Sequence, residues 1–322
     1  MEVTKIFWAM RQAWEAANAF RGATAPNPPV GAAALDAQGN LLGTAAHERA
    51  GTAHAEAKLL AQLEATGQVG KIHVLLITLE PCNHQGRTPP CTEAILRHRI
   101  PSVVYGTPDP NPRVAGGGAK RLQDAGIATT LIPQNSEEGR LCQMLIAPFA
   151  KWSRTAIPWV TVKTAYQSDS GSMIPPQGQK TFTSPESLLL AHQLRKRADA
   201  LLTGSGTVLA DRPQFTVRHT ADHPDKRRAI AVLDRRGRVP TSWYEAAATR
   251  GFDPLLPSPT SFKDALQRLG ALGCLEVLVE AGPRLTQSIL DSGLWDEQVS
   301  IYAAAAGGSD SDRVEIRYNP AQ

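Results

Sequence analysis

The chain is poor in cysteine, with four in 322 residues, and poor in aromatic residues, at 6%. Four thiols are too few for the disulfide framework of a secreted protein of this size, so a reducing, cytoplasmic location is expected. No apolar run approaches the ~18 residues needed to span a bilayer. The amphipathic opening MEVTKIFWAMRQAWEAANAF does not have the form of a signal peptide, so no membrane partner is expected. A dominant charge sign is also missing, because Lys+Arg 34 against Asp+Glu 30 leaves only +4, spread along the chain. A nucleic-acid partner would want a basic stripe with exposed aromatics, whereas this mixture suits a small anionic substrate.

What is present is 42% hydrophobic residues over the length of about two domains at ~150 residues each. Ile6, Phe7, Met10, Ala13, Trp14, Ala17 and Phe20 recur at helical spacing and predict a first helix over 4–20. PVGAAALD and LLGTAAH, around the turn AQGN, read as a strand pair, and HAEAKLLAQLEATG as a helix closed by Gly67. IHVLLITLE, SVVYGT and IATTLI read as strands, CTEAILRHR and GGAKRLQDAG as helices, and 136–152 as a further helix. That alternation predicts an α/β fold with a mostly parallel sheet. A boundary near residue 151 divides the chain into 1–150 and 151–322. The second part repeats the alternation through WVTVKTAY, SPESLLLAHQLRKR, ADALLTGSGTVLA, RAIAVLD, FKDALQRLG, LEVLVEAG, RLTQSILDSG and EQVSIYAAAA.

Two of the four cysteines fall within EPCNHQGRTPPCTEAI, and upstream of them stands HAE at 54–56. His-x-Glu followed by Pro-Cys and a second Cys is the signature of zinc-dependent deaminases. A catalytic zinc takes three protein ligands and leaves a fourth position for water. His54, Cys82 and Cys91 supply such a set, and Glu56, not needed as a ligand, is the candidate catalytic proton shuttle. With the cation and the helix dipoles favouring the anion, Cys82 at a strand's end and Cys91 opening a helix after Pro89-Pro90 are both expected as thiolates at neutral pH. Taken alone, HAE is a cap or surface feature and two cysteines are as often buried hydrophobes. Together and in this order they argue for a site. Common zinc deaminases separate the cysteines by two residues; here eight intervene, and the insert NHQGRTPP offers His84 and Arg87 to a phosphate or a ring edge.

PNPPVG (26–31), HAE (54–56), LEPCNHQGRTPPC (79–91) and DPNPRVAGGG (109–118) together resemble the bifunctional deaminase/reductase family of riboflavin biosynthesis. The resemblance implies an N-terminal cytidine-deaminase-like three-layer domain and a C-terminal dihydrofolate-reductase-like domain. It also implies zinc-dependent hydrolytic deamination of 2,5-diamino-6-(5-phosphoribosylamino)pyrimidin-4-one, then reduction of the ribosyl group to a ribityl chain by NADPH. By the same resemblance Asn27 meets the ring of the pyrimidine substrate, to which the insert between the cysteines adds His84. In the second half VTVKTA, GTVLADRPQFTVR (206–218), VLVEAGP (277–283) and LWDE carry the likeness. They imply cofactor contacts at Ala165, Thr207, Asp211 and Gly282, and substrate contacts at Lys163, Arg195, Phe215, Arg218 and Glu280. Two arginines suit a phosphate, which they grip through charge-assisted bonds. GSGTVL lacks the full dinucleotide-binding glycine pattern. Family analogy alone allows a homodimer.

Some segments depart from the family. Its Ser-Leu-Asp-Gly turn appears as QSDSGSM, keeping Asp169; Trp-Ile-Thr-Ser appears as TFTS; Pro-x-Leu-Leu-Gly-Gly appears as AAAAGGSD, and the C-terminal end is shortened. These departures leave open a chain that deaminates while its reductase half is weakened or inactive. A deaminase that edits bases in nucleic acid and a scaffold with a four-ligand structural zinc are the remaining alternatives.

Overall fold

The structure, a computed structural model, describes residues 2–85, 89–111, 117–175, 182–304 and 311–320. Arg87, five residues of the 109–118 motif and residues 305–310 of AAAAGGSD lie outside the described residues. The chain divides into two compact units, Met1–Thr155 and Ala156–Gln322.

The first unit runs α1 (Val3–Asn18), β1 (Gly31–Leu35), β2 (Leu41–Ala46), α2 (Ala55–Ala65), β3 (Val74–Ile77), α3 (Cys91–Arg97), β4 (Ser102–Tyr105), α4 (Gly117–Asp124), β5 (Ala128–Leu131) and α5 (Glu137–Thr155). Strands β1 and β3 are short apolar runs, GAAAL and VLLI, buried at every position, as strands covered on both faces must be. Their side chains alternate. Ala32, Ala34, Leu75 and Ile77 pack toward Leu59, Leu60 and Leu63 of α2 and Ile95 of α3. Ala33, Leu35, Val74 and Leu76 pack toward Ala9, Met10 and Ala13 of α1. One sheet between two helix layers results.

The sheet order is β2-β1-β3-β4-β5. It is mixed rather than mostly parallel, because β1 runs antiparallel to both β2 and β3 while β3, β4 and β5 are parallel. A tight hairpin turn reverses β2 onto β1, and the helix α2 then brings β3 to the other side of β1. The expected strand 72–80 is ordered as such only from Val74 to Ile77, so Cys82 stands in the loop beyond the strand rather than at its end.

The second unit runs β6 (Trp159–Tyr166), α6 (Pro185–Arg197), β7 (Ala200–Gly204), α7 (Ser205–Asp211), β8 (Arg228–Leu233), α8 (Thr241–Thr249), β9 (Phe252–Pro254), α9 (Phe262–Ala271), β10 (Glu276–Val279), α10 (Pro283–Asp291), β11 (Glu297–Tyr302) and β12 (Arg313–Tyr318). Its sheet order is β12-β11-β6-β10-β7-β8-β9, parallel except where β12 pairs β11. Val160, Val162, Ala200, Leu202, Val277 and Val279 pack on α9 and α10, and Leu201, Ile230, Val232 and Leu278 pack on the other face with Leu194, Val208 and Trp243. ADALLTGSGTVLA breaks at Gly204 into a strand and a helix, and α8, β9 and β12 had no counterpart in the sequence reading. In an open parallel sheet, ligands sit at the carboxyl ends of the strands. Here those ends lead into Thr207, Asp234, Glu280 and the turn after Tyr166.

Candidate functional site

In the first unit three segments far apart in sequence deliver donor atoms to one place. His54 is the extended N-cap residue of α2, and its carbonyl accepts the first helical bond from the Lys58 amide at 2.9 Å. Cys91 opens α3 directly after Pro90. Cys82 lies in the loop leaving β3, and its Sγ accepts the Cys91 amide at 3.3 Å. His54 Nδ1 is 3.2 Å from Cys91 Sγ and 3.6 Å from Cys82 Sγ, and all three donor atoms lie within 4.8 Å of one another. Tetrahedral zinc with Zn–N near 2.05 Å and Zn–S near 2.3 Å sets a nitrogen-to-sulfur separation of about 3.6 Å. The donor set therefore fits that metal in type and spacing.

Glu56, in the first turn of α2, is 3% exposed, and its Oε2 is buried without a hydrogen-bond partner among the described residues. Such an orphaned carboxylate oxygen is costly unless a ligand or solvent molecule completes it. Burial, reinforced by the charge of Cys82, pushes the Glu56 carboxyl up to about 6. The Cys91 thiol donating to its sulfur holds Cys82 down at about 4, and the same bond together with burial pushes Cys91 up. A bound cation favours the thiolate at both positions, because metal ligation requires the deprotonated sulfur.

Asn27 is half-buried in a turn tied by its own amide to Thr24 O at 2.8 Å. Its side-chain amide lies 3.1 Å from Nε2 of His47, whose Nδ1 lies 3.2 Å from Ala53 O. The backbone carbonyl can only accept, so Nδ1 carries the proton and Nε2 accepts from the Asn27 amide. Sequence reasoning missed His47. It is 2% exposed, and its ring stands edge-on to that of His54 at 5.3 Å. The signal was a second histidine seven residues before HAE, at the end of a strand. His84 is exposed in the loop after Cys82 and hydrogen-bonds to none of these groups among the described residues.

In the second unit, Thr207 and Gly282 meet: the Gly282 amide, at the N-cap of α10, donates to Thr207 Oγ1 at 3.1 Å. Lys163 and Ala165 lie two apart on β6 and so share a face of the sheet. Next to Ala165 a cleft of about 440 Å³ is lined by Tyr166, Gln167, Tyr302 and Arg313, with the two tyrosine rings stacked at 5.1 Å. Asp211 is exposed at the end of α7 and has no hydrogen bond to the others among the described residues.

Arg195 and Glu280 form a bidentate pair, Nε to Oε1 at 2.5 Å and the terminal nitrogen to Oε2 at 2.8 Å. Burial pushes the Glu280 carboxyl up, but Arg195 pulls harder and leaves it at about 2. Burial also lowers the Lys163 ammonium, against the raising pull of Glu280. Two of the three Arg195 guanidinium nitrogens are thus engaged by Glu280. Phe215, only 3% exposed, belongs to the core, with its ring beneath the Arg195 guanidinium. Arg218 is exposed, held at 2.9 Å by Thr216 Oγ1, and has donors to spare.

Comparisons with known proteins follow the same division. Residues 4–107 match the family model of the cytidine and deoxycytidylate deaminase zinc-binding region, and residues 158–314 match that of the RibD C-terminal domain. The riboflavin biosynthesis protein RibD of Aquifex aeolicus is 35% identical over 314 residues, covering 91% of this chain and 85% of that protein. RibD of Escherichia coli K12 is 33% identical, covering 94% and 88%. A solved structure of Acinetobacter baumannii RibD matches with TM-score 0.78 at 31% identity, covering 96% of this chain and 90% of that one. A Thermotoga maritima structure, described as a diaminohydroxyphosphoribosylaminopyrimidine deaminase/5-amino-6-(5-phosphoribosylamino)uracil reductase, matches with TM-score 0.82 at 27% identity, covering 98% and 99%.

Proposed function

We infer the division of labour in this chain from one premise: it belongs to the RibD family of riboflavin biosynthesis proteins, a deaminase joined to a reductase. The first unit removes an amino group hydrolytically from 2,5-diamino-6-(5-phosphoribosylamino)pyrimidin-4-one, giving the uracil and ammonia. The second reduces the ribosyl group of that product to a ribityl chain. The observation that carries this reading is the convergence of His54, Cys82 and Cys91 within 4.8 Å, with the unpartnered Glu56 oxygen nearby.

His54, Cys82 and Cys91 hold zinc, which when bound supplies the Lewis acidity that makes water a nucleophile at neutral pH. Glu56 takes the proton of the attacking water and returns it to the departing amine. His47 fixes the Asn27 amide, whose Oδ1 and second N–H remain for the edge of the pyrimidine ring. His84 and Arg87, between the two cysteines in sequence, are left to meet the substrate's periphery.

In the second unit NADPH supplies the hydride, so the protein's task is to hold two reactants in register. Thr207, Gly282, Ala165 and Asp211 are assigned to the cofactor. Lys163 and Glu280, the latter oriented by Arg195, are assigned to the sugar, and Arg218 to the phosphate. The chain is further proposed to form a homodimer. The edge strand β12 exposes Val314, Ile316 and Tyr318, and an antiparallel pairing centred on Ile316 sets Glu315 opposite the partner's Arg317.

The test is incubation with the diaminopyrimidine phosphate, with and without NADPH, followed by mass spectrometry. Deaminated product without NADPH and ribityl product with it is the expected outcome. Deamination with no reduction would remove the second half of the reading; release of neither product would remove both.

A further inference from the structure

Between α7 and β8 the chain crosses the second unit as a strap without regular structure. Three of its non-glycine residues, Arg212 at φ 45°, Phe215 at φ 58° and Asp225 at φ 55°, sit in the left-handed region, which is unfavourable for side-chain-bearing residues. Local preference therefore does not hold the strap's shape; bonds from elsewhere must. Helix α6 provides them. It is fixed at its start by Ser184, whose hydroxyl accepts the Ser187 amide, with Pro185 in the first turn. Three positions apart on α6, and so on one face, stand His192 and Arg195. Arg195 donates to Thr216 O at 3.3 Å, and the Arg218 amide donates to Nδ1 of His192 at 2.9 Å.

His192 is 0% exposed, which is unusual for a histidine with no assigned role. Because Nδ1 accepts from a backbone N–H, the ring is neutral with its proton on Nε2, and that nitrogen is buried with no partner among the described residues. The ring packs edge-on against His219 at 4.6 Å. Burial, followed by the charges of Arg195, His219 and Arg218, pushes His192 down to about 4, in keeping with a neutral acceptor. The bond thus lands on the backbone of the residue assigned above to the substrate phosphate, whose own side chain is exposed.

We propose that His192 is a positioning residue for reduction: its Nδ1 fixes the backbone of Arg218 so that the guanidinium meets the phosphate of the deaminated substrate. This rests on the assignment of Arg218 to that phosphate. His192 does not touch the substrate, cofactor or reacting atoms. Its effect is therefore carried by substrate binding rather than by the chemical step.

Asparagine and glutamine separate this role from simple core packing. The Asn side-chain oxygen can occupy the place of Nδ1, whereas that of Gln reaches the place of Nε2. His192→Gln is expected to raise KM for the deaminated substrate about tenfold, with kcat and KM for NADPH within about twofold and ammonia release by the first unit unchanged, the tenfold corresponding to loss of one well-aligned bond. His192→Asn is expected to restore KM to near its original value. Amide hydrogen exchange across 215–219, a readout independent of turnover, should quicken in His192→Gln and return toward the original rate in His192→Asn.

Equal defects in the two variants, or parallel losses in kcat and both KM values, would assign His192 to the core and overturn the proposal. Arg218→Gln separates the premise from the inference. If it leaves substrate KM unchanged, the phosphate assignment falls and the proposal with it; if it raises KM while His192→Gln does not, the proposal alone falls. Should His192→Gln not fold, ¹⁵N NMR of the unsubstituted ring decides, because a protonated Nδ1 is incompatible with accepting the Arg218 amide.

Discussion

His54 Nδ1 lies 3.2 Å from Cys91 Sγ although the two residues stand 37 positions apart. The closeness is made by two helix starts, α2 and α3, that face the loop leaving β3. The proposed ligands and the proposed proton shuttle are therefore separable by substitution. Cys91→Ala is expected to lose both zinc and ammonia release, because a three-ligand set reduced to two does not retain the ion. Glu56→Gln should keep one zinc per chain while ammonia release falls by about 10²–10⁴-fold. Metal analysis of both purified proteins, beside an ammonia assay, checks this. A Glu56→Gln protein that deaminates normally would remove Glu56 from the chemistry.

The loop carrying Cys82 is itself held from below. A Cβ on Gly118, in the first turn of α4, would collide with the carbonyl oxygen of Pro81, the residue before the cysteine. The Glu80 carboxylate accepts the Ala119 amide at 3.1 Å and the Asp109 amide at 3.3 Å, drawing the same helix start against the same loop. Gly118→Ala must push α4 and the loop apart, displacing Cys82. Zinc affinity is expected to fall about 10–100-fold, the range seen when support behind a ligand is lost. Competition with a chromogenic chelator measures it, and reduction of supplied uracil intermediate should be unchanged.

What could be picked out beforehand differs between the two units for a physical reason. Metal ligation demands particular residue types, so His54, Cys82 and Cys91 stand out in a sequence with few thiols. Hydride transfer needs only alignment, which leaves no such mark. The pairing of Arg195 with Glu280 spans 85 positions and is invisible without the fold, so the sequence offers Arg195 to a phosphate without showing the carboxylate that also engages it. His47 read as an ordinary strand-end residue because its partners, Asn27 and Ala53 O, come together only once β1 and β2 have paired. Strand alternation revealed the layers but not the direction of β1 against β3, since apolar runs such as GAAAL and VLLI look alike either way. RVEIRY at β12 alternates clearly, yet its exposed apolar side has no core to mark it as a strand.

Acid should expose the anchoring bond of the strap. The folded-state pKa of His192 is lowered to about 4 against an ordinary value of 6.5, so the unfolded chain binds the extra proton first. Its contribution to stability is complete above pH 6.5 and is lost as pH falls from there toward 4. The groups facing the ring are Arg195, Arg218 and His219, which oppose its protonation, and Glu280, which favours it. Denaturant midpoints of the second unit should fall across that window in the unsubstituted protein. In His192→Asn, which has no ring to titrate, the fall should be shallower. An identical pH profile in the two proteins would show that some other group governs the window.

The outer edge of β12 tests assembly. Val314, Ile316 and Tyr318 are 40%, 51% and 49% exposed on a strand whose outer edge pairs with no other strand among the described residues. A lysine at the centre of a self-pairing strand places two like charges directly opposite each other, which is destabilising. Ile316→Lys is therefore expected to shift sedimentation from dimer to monomer while leaving ammonia release intact. Dimers persisting at low micromolar concentration would exclude this edge.

Asp199 shows how the second unit is braced at the opposite end of its strands. Its carboxylate is 9% exposed and accepts the Leu275 amide at 2.9 Å, the Glu276 amide at 3.0 Å and Lys226 Nζ at 3.3 Å. It thereby ties the start of β7 to the start of β10, the strand that ends just before Glu280. Replacing it with Ala removes an acceptor from two buried amides and the counter-charge from a buried ammonium. Breaking a buried pair from one side costs about 3–5 kcal/mol, most of it from the charge left behind. Lys226→Met alone leaves the opposite charge buried. Asp199→Ala with Lys226→Met removes both, so it should recover part of the loss. The second unit is expected to unfold at lower urea in Asp199→Ala, partly restored in the double variant, with zinc content and ammonia release unchanged. Equal loss in the single and double variants would mean that the two amide bonds, and not the ion pair, carry the brace.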